Sequence, residues 1–268
     1  MRFTYAEAMT DPKYYIPLAK AADEAGYHGM TIADSVAYPE VSDSKYPYTE
    51  DGNREFLDGK SFIETFALIG ALSAVTTRLH FNIFVLKLPI RPPALVAKQA
   101  GSLAALFDNR INLGVGTSPW PEDYDIMGVP FAKRGKRMDE CIDIVRGLTS
   151  GEYFEYHGEF YDFPTFKMTP APTKPIPILI GGHSEAALNR AARLGDGWIA
   201  APMPPQRLSE LLSRLRVHRE CEGTPATDFR VVAATNFTDF DTFGRSIATY
   251  RELAVDHLQV LLGLDLRI

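Results

Sequence analysis

The chain has 268 residues and a formal charge of −6, with 28 Lys+Arg set against 34 Asp+Glu. At 46 % hydrophobic and 23 % charged it has the composition of a core-forming globular chain, and its mild acidity argues against general nucleic-acid binding. Two cysteines without CxxC spacing, Cys141 and Cys221, exclude a disulfide scaffold or zinc finger and fit a reducing, cytoplasmic compartment.

The start, MRFTYAEAM, lacks the uninterrupted apolar stretch of a signal peptide, and no later run reaches the ~18–20 apolar residues of a membrane-spanning helix. A first strand is expected at Phe3 to Ala6. Apolar residues at Tyr15, Leu18, Ala19, Ala22 and Ala25 then recur at helical spacing, and Gly26 ends that helix. Strand two is Gly29 to Ala33. After a long loop comes an apolar helix from Phe62 to Val75, strand three from Leu79 to Leu86, and a helix entered through Pro93. Strand four is Ile111 to Gly116, and its helix covers Ala132 to Leu148. The rhythm continues with strands at 176–180, 197–201, 229–234 and 258–262, separated by helices at 184–194, 207–220 and 242–255.

Eight strands, each but the last followed by a helix, predict one closed (β/α)₈ barrel domain over residues 1–268. A doubly wound sheet would want a glycine-rich turn after strand one, where this chain has Glu7-Ala8-Met9-Thr10. Only six residues follow strand eight, so an eighth helix is expected to be missing, leaving apolar surface for a tail or a second subunit to cover. Residues 35–60 form a candidate lid at the C-terminal mouth, carrying Tyr38, Tyr46, Tyr48 and Phe56. Residues 150–175 read as a hairpin insertion around His157-Gly158 on the opposite face, its aromatics serving packing.

Several strand ends could carry chemistry. Gly181-Gly182-His183-Ser184 follows strand five and opens a helix. It could be an anion site, with glycines admitting a ligand and helix N–H groups facing it, or a plain capped turn. Gly114, Gly116 and Thr117 end strand four on the same face. Asp34-Ser35 ends strand two, where the carboxylate could fix a cofactor, hold a proton or simply start the lid. The cations Lys133, Arg134, Lys136 and Arg137 open helix four, where either Asp139, Glu140 and Asp143 neutralise them or an anionic ligand does. No metal-ligand spacing and no serine-hydrolase motif occurs.

Beyond these local readings, Pro89-Ile90-Arg91-Pro92-Pro93, Asn109 to Gly116, Phe131 to Glu140, Tyr156 to Phe163 and Ile180 to Ser184 together resemble the luciferase-like monooxygenase superfamily, as does Gly195-Asp196-Gly197-Trp198. The resemblance covers residues 1 to about 200. It implies a barrel holding coenzyme F420 or FMN at its mouth, commonly as a homodimer. It also implies that Gly181 to Ser184 bind the cofactor phosphate and that a non-proline cis peptide near Ile83-Phe84 lies under the ring. Asp34 matches an aspartate often followed by a histidine; here Ser35 follows. The activity implied is hydride transfer between F420 and a small organic substrate, with Asp34 and Ser35 as candidate catalytic residues. The alternatives are FMN-dependent monooxygenation with a partner reductase, or a flavin-binding relative without turnover.

Overall fold

Strand and helix alternate along the chain in a computed structural model that describes residues 1–6, 9–47, 49, 51–224, 229–237 and 239–262. The elements are β1 (Arg2–Ala6), α1 (Tyr15–Glu24), β2 (Gly29–Ile32), α2 (Thr65–Ser73), β3 (His80–Ile83), β4 (Leu86–Lys87), α3 (Pro93–Leu106) and β5 (Ile111–Gly116). They continue with α4 (Pro121–Ile126), α5 (Arg134–Thr149), β6 (Tyr153–His157), β7 (Asp162–Lys167), β8 (Ile178–Gly181) and α6 (Glu185–Leu194). The last are β9 (Gly197–Ile199), α7 (Pro205–Cys221), β10 (Arg230–Phe237), α8 (Phe240–Glu252) and β11 (His257–Leu262).

The sheet runs β3-β2-β1-β11-β10-β9-β8-β5-β4, entirely parallel, and β3 pairs with β5 to close it. β3 and β4 are two pieces of one barrel strand broken by a bulge, which gives the eight-stranded barrel expected. Side-chain alternation sorts the two faces. Outward residues such as Met30, Phe81, Ile83, Leu113, Ile180 and Trp198 form one core with the helices. Inward residues divide the interior into an apolar part, Leu179, Ile199 and Val232 with Phe84 and Val85, and a polar part holding Thr4, Thr31, Asn82, Asn112 and Gln259, all buried. The seam between β3 and β5 is tight at Gly114, where a Cβ would lie 2.0 Å from the Ile83 carbonyl oxygen and 2.7 Å from Ile199 Cδ1.

Three expectations change. Of the cations opening α5, Lys133 and Lys136 meet Glu159 from outside the helix, Arg134 and Arg137 stack on Phe131 and Phe160, and Asp139 instead binds Arg190 and Arg193. The hairpin β6–β7 leaves the N-terminal face but climbs along α5. Glu140 accepts from the backbone N–H groups of Glu159, Phe160 and Tyr161 and so fixes the tip near the start of that helix. α4 is an added helix inside what reads as a loop. Tyr48 of the lid, Glu7 and Ala8 of the first turn, and residues 263–268, on which the missing eighth helix rests, lie outside the described residues.

Candidate active site

The floor of the C-terminal mouth is the bulge between β3 and β4, where the Phe84–Val85 peptide bond is cis, one residue beyond the expected position. Val85 sits between two glycines: a Cβ on Gly116 would meet its Cγ2 at 2.8 Å, and one on Gly181 its Cγ1 at 2.9 Å. Gly114, Gly116 and Gly181 are thus required by the close approach of strands to this bulge. Ile83 points outward into the core, while Phe84 packs toward the interior cluster.

Beside that floor, β8 runs into α6 through Gly181 to Ser184. Gly182 has φ +116°, which favours glycine, and a Cβ there would press on Ala187. Ser184 caps α6 by accepting from the Ala187 N–H. His183 accepts at Nε2 from the Ala201 N–H, 3.1 Å away, and the Trp198 indole donates to the Gly182 carbonyl at 2.8 Å. Burial and Arg207 push the His183 pKa down to about 4, so the ring is a neutral acceptor locking the turn to the end of β9. The turn fits a phosphate group: the His183 and Trp198 hydrogen bonds hold its backbone, Gly182 takes a positive φ, and a helix starts behind it. Thr117 contributes its carbonyl to the Tyr124 hydroxyl, so its main chain is tied to α4.

Across the mouth, Asp34 is fully engaged. Its Oδ1 accepts from Arg91 at 2.7 Å and Thr65 at 3.0 Å, and its Oδ2 from the Lys87 backbone N–H at 3.0 Å. The carboxylate therefore fixes β4 and the start of α2 to the end of β2. Ser35 faces a different partner, the Lys87 ammonium at 3.4 Å. Lys87 is buried and paired with Asp123 at 2.7 Å, which in turn accepts from Ser118. Trp120 lies alongside, with Lys87 4.9 Å and Arg54 4.7 Å from its ring centroid. Its buried indole N–H has no hydrogen-bond partner among the described residues.

The lid docks onto α4. Ser42, Ser44 and Arg54 all reach Glu122, and Tyr46 packs on Phe56 and Trp120. These hydrogen bonds and Arg54 lower the Glu122 pKa against the opposing effect of burial. Beneath the docked lid lies a cavity of about 280 Å³, lined by Tyr38, Arg54, Trp120, Glu122, Asp123 and Ile126. A larger cavity of about 470 Å³ between α3, α5 and the hairpin is lined by Leu148, Phe163, Phe166 and Met168, together with Lys98 and Lys167. Donors, acceptors and the glycine turn converge at the mouth and not at this second cavity.

Sequence reasoning named Asp34, Ser35 and the glycine turn but missed Lys87, Asp123, Trp120 and Arg54. The one available signal was Lys87 itself, a charge inside an otherwise apolar strand, Phe84-Val85-Leu86-Lys87-Leu88. Asp123 sits on α4 and Trp120 immediately before it; the start of that helix is marked by Pro121 with Glu122 and Asp123 in its first turn.

The luciferase-like monooxygenase profile matches residues 2–255 of this barrel. The chain belongs to the luciferase-like monooxygenase family. Among luciferase-like relatives, an uncharacterized protein of Mycobacterium tuberculosis is 70 % identical over 239 residues, 89 % of this chain and 83 % of that one. An F420-dependent glucose-6-phosphate dehydrogenase of Gordonia bronchialis is 30 % identical over 202 residues, 70 % of this chain and 53 % of the relative. A solved F420-dependent secondary alcohol dehydrogenase, in complex with an F420-acetone adduct, superposes with a TM-score of 0.76 at 12 % identity, covering 97 % of this chain and 93 % of that one. At that identity the likeness speaks for the luciferase-like fold alone. Among the described residues, no helix is long and apolar enough to cross a membrane.

Proposed function

We propose that this luciferase-like protein is an oxidoreductase that transfers hydride between coenzyme F420 and a small alcohol or carbonyl substrate. The observation that carries this reading is the convergence, at one mouth, of a phosphate-type glycine turn and a cluster of donors for a substrate oxygen. The F420-dependent Gordonia relative favours the deazaflavin over FMN. When bound, F420 supplies or accepts the hydride at its ring.

The chain's own residues divide the remaining work. Gly181, Gly182 and the start of α6 hold the phosphate, with His183 and Ser184 fixing the turn. Lys87, Ser35 and the Trp120 indole N–H are donors for a substrate oxygen that gains negative charge as a carbonyl is reduced. Lys87 holds a proton at Nζ that can pass to that oxygen, and Asp123 keeps the ammonium in place. Asp34 acts at one remove, holding the Lys87 backbone and Arg91. The docked lid excludes water.

Reconstitution tests the reading. Purified protein is titrated separately with F420 and FMN while cofactor fluorescence is followed, then assayed for F420 reduction against a panel of secondary alcohols. Saturable F420 binding, at least ~10-fold tighter than FMN (about 1.4 kcal/mol), with alcohol-dependent reduction, is expected. Preferential FMN binding with oxygen-consuming turnover beside a flavin reductase would replace the proposal with monooxygenation. Binding without turnover on any substrate would make the chain a cofactor carrier.

A further inference from the structure

The opposite end of the barrel holds a cluster that the mouth chemistry does not use. Five neighbouring strands in the sheet order β3-β2-β1-β11-β10 each bring one basic or imidazole group to the N-terminal opening. These are His80, His28 (just before β2), Arg2, His257 and Arg230. Three of the chain's six histidines meet there. The His28 ring stacks on His80 with centroids 4.7 Å apart and meets His257 edge-on at 5.1 Å. Arg2 Nη1 lies 3.3 Å from His28 Nε2, and Arg230 Nη1 donates to Asn112 Oδ1 at 3.1 Å.

The electrostatics are one-sided. Both arginines act on all three rings, and the N-terminal amine adds to their effect on His257. Burial and these cations push His28 down to about 3 and His257 to about 4, and lower His80 as well. Arg110 also bears on His80 but spends its guanidinium on the Thr76 hydroxyl and the Ser73 and Leu79 carbonyls. Asp108 offers His80 a partial counter-charge. A chain of net charge −6 has thus gathered cationic charge at one opening.

A second observation lies directly inside. Gln259 is two residues further in than His257 on the same inward face and only 1 % exposed, yet neither atom of its amide has a hydrogen-bond partner among the described residues. The hydroxyls of Thr4, its register partner on β1, and of Thr31 are buried and unpartnered too. A buried primary amide left unpaired costs about 1–3 kcal/mol unless something supplies its partner. Stability alone would favour an apolar residue at this position.

We propose that the N-terminal opening of the barrel is a binding site for a small oxyanion of the phosphate class. The Arg2 and Arg230 guanidiniums and the imidazole N–H groups donate to its oxygens, and the Gln259 amide with the Thr4 hydroxyl meets whatever oxygen or hydroxyl reaches inward. A bound oxyanion supplies the missing counter-charge, so it raises the histidine pKa values, and by reciprocity its affinity increases as pH falls from 6 toward 4. The site lies at the far end of the barrel from the Gly181 to Ser184 turn and does not compete with a cofactor there.

The test follows the histidine rings in the ¹⁵N-labelled full chain while inorganic phosphate replaces chloride at constant ionic strength. Saturable shifts at His28, His80 and His257 are expected, with an upward move of about one pH unit in the His257 midpoint. The Arg2→Gln/Arg230→Gln double variant should lose them. Gly182→Val, which disables the other phosphate-type turn, should keep them. Should the double variant fail to fold, Gln259→Met is the second arm: it keeps the arginines and should weaken phosphate binding at least ~5-fold. Phenyl phosphate run in parallel distinguishes a free phosphate, bound equally, from the end of a larger monoester, bound more tightly; either supports the site. Equal shifts with chloride, or shifts that survive the arginine double variant and vanish in Gly182→Val, would overturn it.

Discussion

Replacing Lys87 by methionine keeps the apolar stem and removes the charge. The ammonium lies 2.7 Å from Asp123, with the two side chains only 9 % and 4 % exposed. At that separation the direct attraction is about 6 kcal/mol at an effective dielectric constant of 20, and much of it offsets the desolvation of two ions. What Lys87→Met adds is an uncompensated buried carboxylate. The expected cost is about 3–5 kcal/mol, a large share of a typical domain's stability. Urea unfolding followed by far-ultraviolet circular dichroism measures it. The double variant Lys87→Met/Asp123→Leu removes both charges and should recover at least half of the loss. A single variant within 1 kcal/mol of the parent, or a double variant as unstable as the summed singles, would refute the reasoning.

Gly182→Val should weaken F420 binding at least ~10-fold, because the position has φ +116° and a Cβ there presses on Ala187; fluorescence titration of the folded variant reads it. Asp34→Ala frees Arg91 and the β4 backbone, so kcat should fall ~10²-fold, whereas a value equal to the parent's would leave Asp34 as a mere start of the lid. The His257 pKa is about 4 when folded, below the ordinary 6.5, so the unfolded chain takes up its proton first. Stability should therefore fall as pH drops from 6.5 toward 4, by about 3 kcal/mol from His257 with more from His28, and denaturant midpoints across that range test the sign. Gly114→Ala should cost about 3 kcal/mol or more, since its Cβ would lie 2.0 Å from a carbonyl oxygen; a calorimetric melt within 2 °C of the parent would contradict that.

Much of the barrel was legible because strand periodicity and helix caps are local. Ser184 caps α6 where its spacing suggested, and Ile111 to Gly116 is a strand at the expected residues. The glycine turn was legible for the same reason. The Lys87–Asp123 pair was not, because its members are 36 residues apart and a lone charge in a strand carries no address for its partner. The hairpin's direction was hidden too: chain order places its root at the N-terminal face, while the contacts of Glu140 that turn it upward are tertiary.

The chain has only two tryptophans, and each is attached to a different working part of the mouth. Trp198 is buried under the glycine turn and hydrogen-bonded to Gly182. Trp120 lies between the lid's Arg54 and the barrel's Lys87. Intrinsic emission excited near 295 nm is therefore an optical record of two events, filling of the turn and lifting of the lid. With either ring changed to phenylalanine, the surviving tryptophan reports one event alone, so the order of turn filling and lid movement can be timed without any label.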